Sequence, residues 1–233
     1  YRQYSSALAD EFRLVAFDLR GHGMSEAPLS VEHYSNGRIW AEDVAAVIDQ
    51  LQVDRPVLVG WSYGGVVVGD YLSRHGEAAV GGIALVGAIS RLGEPVLPFL
   101  GADFLATVPG LFSTDLDAGT AAVARFIRLT TSADPAPEDL YLALGYNILV
   151  PPQVRQAMLS RTLTHDGLLE RLTTPVLMVH GSDDEIVLPA MSEHHARLIP
   201  HAKTSWYQGI GHTPFREDPD RFNADLRAFA SSL

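Results

Sequence analysis

The 233-residue chain contains no cysteine, which removes disulfides, thiolate nucleophiles and cysteine-type zinc sites together. That composition suits a reducing, cytoplasmic compartment. No apolar run approaches the roughly 18 residues needed to cross a membrane. Positive charge is scarce: 17 Lys and Arg stand against 28 Asp and Glu, for a net charge of −11. With no clustered basic stripe to override that average, the phosphate backbone of a nucleic acid would be repelled. The nine histidines form no HExxH pattern. His194 and His195 are adjacent, so on a helix they point in different directions. They are read as polar positions on a helix face, and no metal site is expected. The opening stretch "YRQYSSALADEFR" lacks the charged-then-apolar order of a signal peptide. It predicts instead an amphipathic helix with Tyr1, Tyr4, Leu8 and Phe12 on one face. A chain that begins within a helix leads to the expectation that a front end precedes it.

What is present is a globular pattern, with 47% hydrophobic and 19% charged residues. "RLVAFDL" (13–19) is a strand-length apolar run closed by the turn "RGHGMSEAP". Residues 38–51 place Ile39, Val44, Val47, Ile48 and Leu51 at helical spacing. "RPVLVG" (55–60) is a short continuous run of the kind buried in parallel sheets. The following "SYGGVVVGDYLSRHG" predicts a helix capped by Gly76, and "VGGIALVGA" (80–88) returns to strand. The alternation resumes with strand 174–181, helix 189–199 and strand 202–209. A closing helix carries Phe222, Leu226 and Phe229 on one face. Such alternation predicts a doubly wound, mostly parallel α/β sheet. Residues 91–165 break the rhythm with apolar helical stretches and Pro-rich joints, too long for an ordinary connection. They predict a helical lid inserted in a core made of 1–90 and 166–233.

Chemistry concentrates at three turns. In "LVGWSYGGVVV" (58–68) a strand gives way to a helix at Ser62, the Gly-x-Ser-x-Gly pattern of a nucleophile on a tight, strained turn. Gly60, Gly64 and Gly65 are small where backbone segments are expected to meet. The helix N-terminus offers free N–H groups and a positive dipole end, and the Tyr63 N–H is the natural donor to an oxyanion. A serine hydroxyl needs a base, and the base an orienting acid. Beyond strand 174–181 stand Asp183, Asp184 and Glu185; beyond strand 202–209 stands His212 in a Gly-flanked loop. The order Ser, acid, His along the chain is the one this architecture uses.

These residues give a resemblance. The motifs "FDLRGHGMS" (17–25), "GWSYGG" (60–65), "HGSDDEIV" (180–187) and "GIGHTPF" (209–215) resemble those of the α/β-hydrolase superfamily, in its lidded esterase and haloperoxidase-like branch. The resemblance covers nearly the whole chain. It implies Ser62 as nucleophile, Asp184 as acid (with Asp183 second) and His212 as base, and no cofactor or metal. It implies hydrolysis through an acyl-serine of a small or medium apolar ester, lactone or related carbonyl compound. Carbon–carbon hydrolysis, perhydrolysis or lyase chemistry is the alternative within the fold, and a non-catalytic binding homologue the alternative outside it. Trp61, Tyr63 and Tyr146 are expected to touch substrate, with Phe104, Phe112 and Tyr141 as further lid lining. The family's second oxyanion donor sits in a His-Gly loop that precedes the equivalent of residues 1–12. "RGHG" (20–23) follows that helix and is not that loop; His22 is read as a turn residue. The first strands are therefore expected to be missing.

Overall fold

The computed structural model describes residues 3–233. Its centre is a four-stranded parallel sheet in the order β1-β2-β5-β6, formed by β1 (Val57–Trp61), β2 (Gly82–Val86), β5 (Val176–Gly181) and β6 (Lys203–Tyr207). Alternation along the central strands sorts the core into two layers. Ile83, Leu85 and Met178 face a cluster built with Trp40, Val67 and Tyr71. Ala84, Val86, Leu177 and Val179 face Phe222, Phe229 and Tyr207. The first layer is closed by α2 (Gly37–Leu51) and α3 (Gly64–His75), and the second by α11 (Pro219–Ala230). Asn36 caps α2 by accepting from the Arg38 N–H, and Asp218 caps α11 through the Arg221 N–H. Gly76 ends α3 with φ at +75°, as the sequence predicts.

Two expectations at the front of the chain fail. The helix expected over 1–13 is only the single turn α1 (Leu8–Glu11), and Tyr1 lies outside the described residues. Ser6 explains the shortening: its hydroxyl donates to the Gln3 carbonyl and accepts from the Leu8 N–H, closing a turn that competes with the helix. The strand expected over 13–19 forms no ladder among the described residues. An apolar run becomes a strand only when a neighbour takes its backbone groups. Arg13 instead donates to the Leu51 carbonyl, and Asp18 and Leu19 serve the turn that follows.

Between β2 and β5 the chain leaves the sheet. A two-residue antiparallel ladder, β3 (Arg91–Leu92) with β4 (Leu163–Thr164), brings the two ends of this stretch together. So short a ladder leaves no hydrophobic periodicity in the sequence to read. Four helices lie between: α4 (Ala102–Leu111), α5 (Leu116–Leu129), α6 (Pro137–Ile148) and α7 (Pro152–Leu159). Leu111, Val123, Ile127 and Ala143 form a small core of their own, packed by Phe104, Phe112 and Leu140. Beyond β4, α8 (Asp166–Leu169) leads back toward β5; α9 (Ala190–Leu198) joins β5 to β6, and α10 (Pro214–Glu217) precedes α11. No helix of the described residues is long and apolar enough to cross a membrane.

Candidate active site

Strand register sets the stage. Trp61 pairs with Val86, Val86 with Val179, and Gly181 with Tyr207, so β1, β2, β5 and β6 end along one edge. Ser62 is the first residue beyond β1, Asp184 the third beyond β5 and His212 the fifth beyond β6. Parallel strands thus deliver all three to the carboxyl edge of the sheet, where open α/β folds place their ligands.

Ser62 holds a φ of +53°, a left-handed conformation that costs a non-glycine residue about 1–3 kcal/mol. The frame around it enforces that conformation. Its N–H donates to the Val86 carbonyl at 3.0 Å, while its own carbonyl accepts from Ile89 at 3.1 Å and from Gly65 at 3.0 Å. Gly60 and Gly65 meet the expectation of close backbone contact: a β-carbon would lie 2.8 Å from the Gly64 oxygen and 2.5 Å from the Ile89 oxygen, respectively. Gly64 does not, because open space surrounds it.

His212 is buried and its Nδ1 lies 2.7 Å from Asp184 Oδ2. With the Nδ1 proton donated to that carboxylate, Nε2 is the nitrogen left to accept a proton. Asp184 is itself fixed, since Oδ1 accepts from the Ile186 and Val187 N–H groups, both at 2.9 Å. Burial opposes its ionisation. The charge of His212 and hydrogen bonds from His180 and His212 outweigh that, holding the carboxyl well below the usual carboxylate range. Asp183, by contrast, is exposed and accepts from Ser182 Oγ at 2.7 Å, so the residue facing His212 is Asp184.

Two contacts bring the Asp184–His212 pair to Ser62. Gly87 directly follows the residue that receives the Ser62 N–H. A β-carbon there would lie 3.1 Å from His212 Nδ1 and 3.2 Å from Asp184 Oδ2, and φ is +46°. The pair therefore rests on a position that only glycine fills without strain. Trp61, the neighbour of Ser62, donates from Nε1 to the His212 carbonyl at 2.8 Å, with the two rings 5.2 Å apart. The indole thus steadies the histidine loop, a role its place in the sequence did not suggest.

The other sequence-derived positions separate. Tyr63 packs its ring edge-on to Trp40 at 5.5 Å and donates to the Met158 carbonyl at 3.3 Å. Burial pushes its phenol up to about 12 against the opposing effect of Arg161. Phe104 and Phe112 sit in the core of the four-helix segment, Phe104 against Phe126 at 5.9 Å. Tyr141 and Tyr146 stand on α6 with 71% and 52% of their surface exposed. His22 is part of a turn, its N–H donating to the Leu19 carbonyl. His194 faces Arg91 and Asp166, whereas His195 pairs with Ser90 Oγ at 2.8 Å. His195 is wholly buried, which corrects its reading as part of a polar helix face.

Sequence reasoning overlooked Gly87 and His180. Nε2 of His180 donates to the Val187 carbonyl at 2.8 Å and lies 3.2 Å from Asp184 Oδ2, while Ser192 Oγ meets Nδ1 at 2.6 Å. The i to i+4 spacing of His180 and Asp184 was visible, but across a strand and a turn that spacing carries no fixed geometry.

Comparison with known proteins agrees with this architecture. Residues 1–219 match the family model described as the alpha/beta hydrolase fold. The chain is 30% identical to a non-heme haloperoxidase of Rhodococcus erythropolis, across 95% of this chain and 83% of that protein. It is 29% identical to the bifunctional esterase/perhydrolase DCH of Acinetobacter calcoaceticus, across 97% and 84%. Among solved structures, the esterase RhEst1 from Rhodococcus sp. ECU1013 superposes with a TM-score of 0.91 at 41% identity, covering 99% of this chain and 84% of that one.

Proposed function

The chain belongs to the alpha/beta hydrolase fold family, and from that membership we propose that it is a serine hydrolase of carboxylic esters, with Ser62, His212 and Asp184 as its catalytic triad. The observation that carries the reading is the conjunction of a strained Ser62 with a buried Asp184–His212 pair resting on Gly87. In this mechanism His212 Nε2 takes the Ser62 proton as Oγ attacks the carbonyl carbon. Asp184 stabilises the imidazolium, which then protonates the departing alkoxide. Water, deprotonated by His212, attacks the acyl-serine and releases the acid. The N–H of Tyr63, at the start of α3, is the proposed oxyanion donor.

The segment 91–165 is proposed as a lid over this edge. Tyr63 supports that reading, because it stands beside Ser62 and reaches the Met158 carbonyl of α7. Trp61 and Tyr63 are the proposed substrate-contacting aromatics; the exposure of Tyr146 argues for the rim of the lid rather than a closed pocket. The substrate is a small molecule with apolar bulk, and the absence of cysteine supports a cytoplasmic setting. Perhydrolysis is the second reading, favoured by the likeness to an esterase/perhydrolase. There hydrogen peroxide replaces water in attacking the acyl-serine, and a peracid leaves instead of an acid.

A fluorophosphonate probe and a panel of p-nitrophenyl esters test the proposal. Labelling at Ser62, with ester turnover abolished in Ser62→Ala, is the expected result. Unchanged turnover in Ser62→Ala overturns it. Adding hydrogen peroxide to the same assay and trapping peracid separates the two readings.

A further inference from the structure

In the six residues between Tyr207 and the short helix α10, the loop bearing the base runs through Gly211, His212 and Thr213. The last residue of that helix, Glu217, is half-buried and turns its carboxylate back onto the loop. It accepts from the Gly211 N–H at 3.1 Å, from the Thr213 N–H at 3.3 Å and from Thr213 Oγ1 at 3.2 Å. Both residues that flank His212 are thereby tied to one side chain. The same carboxylate accepts from the Ser132 N–H at 2.8 Å and from Ser132 Oγ at 2.9 Å, in the connection between α5 and α6.

Two further contacts bind these stretches. Thr213 Oγ1 also lies 3.1 Å from the Thr130 carbonyl. Gly211 approaches so closely that a β-carbon would sit 2.8 Å from the Ser132 nitrogen. The loop that carries the base and the helical segment are thus joined through the Glu217 carboxylate, the Thr213 hydroxyl and the close approach at Gly211, with Arg216 of α10 also 3.8 Å from Asp139 of α6. Charge-assisted hydrogen bonds of this kind are stronger than neutral ones and fix direction as well as distance.

We propose that Glu217 is a positioning residue for His212, clamping the base loop to the 130–132 connection so that the imidazole is held in line with Ser62. The proposal rests on the serine-hydrolase reading. Glu217 touches no reacting atom; it acts through the backbone on either side of His212. Its carboxylate presents two oxygens to N–H groups from two directions, and an amide in its place turns an NH2 toward one of them. Glu217→Gln therefore keeps the volume and breaks one half of the clamp.

The test is the kinetics of Ser62 labelling by a fluorophosphonate, resolved into the binding constant and the rate constant of the covalent step. Wild type, Ser62→Ala, Glu217→Gln, Glu217→Ala and Ser132→Ala are compared at a temperature where each is folded by circular dichroism. The covalent rate constant is expected to fall about tenfold in Glu217→Gln and further in Glu217→Ala, the cost of a slightly misplaced base. Ser132→Ala shows a smaller loss in the same direction, and the binding constant stays within about twofold in all of them. Should Glu217→Ala fail to fold, Glu217→Gln and Ser132→Ala carry the test. Labelling of Glu217→Gln at the wild-type rate overturns the proposal. So does a smaller labelled fraction that reacts at an unchanged rate, which is the mark of a merely structural role. Absence of labelling in wild type, or its persistence in Ser62→Ala, instead overturns the hydrolase reading beneath it.

Discussion

The carboxyl edge of the sheet and the helical segment 91–165 are built on opposite terms. At the edge, both carboxylate oxygens of Asp184 are committed, Ser62 is bonded through both its N–H and its carbonyl, and Gly87 is tight and strained for any other side chain. In the helical segment a small apolar core of Leu111, Val123, Ile127 and Ala143 holds four helices together. There Leu116, Tyr141, Leu142 and Leu149 remain more than 60% exposed. The proposed reaction geometry therefore rests on tightly fixed positions, and the helical segment exposes loosely constrained ones. A fold that separates the two can change what it admits without disturbing how it reacts.

Substitutions at the edge break this contrast most strongly. Asp184→Asn keeps the shape but presents either a second donor or a neutral acceptor to His212. We expect kcat/KM for p-nitrophenyl esters to fall about 10³–10⁴-fold. A fall of less than tenfold removes Asp184 from the triad. Gly87→Ala follows, with a β-carbon 3.1–3.2 Å from both partners in a left-handed backbone. Its expected cost is about 10–100-fold in kcat, read by steady-state kinetics on a variant that still melts cooperatively. Wild-type kcat there shows that the Asp184–His212 pair does not depend on that space.

The neck between the two regions gives a third, intermediate effect. Ser90 precedes β3 and pairs with His195, which burial and the nearby charge of His194 push down from 6.5 to about 3. The folded protein holds this imidazole neutral, while the unfolded chain protonates it below about 6.5. Unfolded molecules then bind the extra proton, so stability is complete above pH 6.5 and declines as pH falls toward 3. Between pH 6.5 and 5 the loss attributable to this site is about 2 kcal/mol. His195→Gln flattens that slope in urea titrations, and an unaltered slope refutes the assignment. The smallest effect is expected in the helical segment itself: Tyr141→Ser, at a residue 71% exposed, shifts stability by under about 0.5 kcal/mol. A loss above about 2 kcal/mol there shows that this helix face is covered in solution.

The pattern of legible and hidden features follows the same division. The proposed triad of Ser62, Asp184 and His212 was legible because each stands just beyond an apolar strand in a fixed chain order, and β1, β2, β5 and β6 are short runs with sharp ends. Helices α2 and α11 announced themselves by apolar periodicity, while their caps at Asn36 and Asp218 emerged only in the structure. The single turn at Leu8–Glu11 and the unpaired run 13–19 were misread for a common reason. Local pattern reports what a segment prefers, and only a partner decides whether the preference is realised. Gly87, His180 and Glu217 were hidden because their roles depend on what lies across the fold: a glycine beneath an imidazole, a second imidazole against a carboxylate, a carboxylate shared by two loops. No residue type or spacing announces such encounters. Trp61 has a second contact that the sequence did not suggest, its indole N–H donating to the His212 carbonyl.

Ser62 carries one more consequence in its backbone angle. At φ +53° glycine is the residue that rests most easily, so folding and the proposed reaction prefer different side chains at this one position. Mutation that answers only to thermal robustness drifts there toward a sturdier, inert protein. On the proposed assignment, activity keeps a serine where the backbone favours glycine.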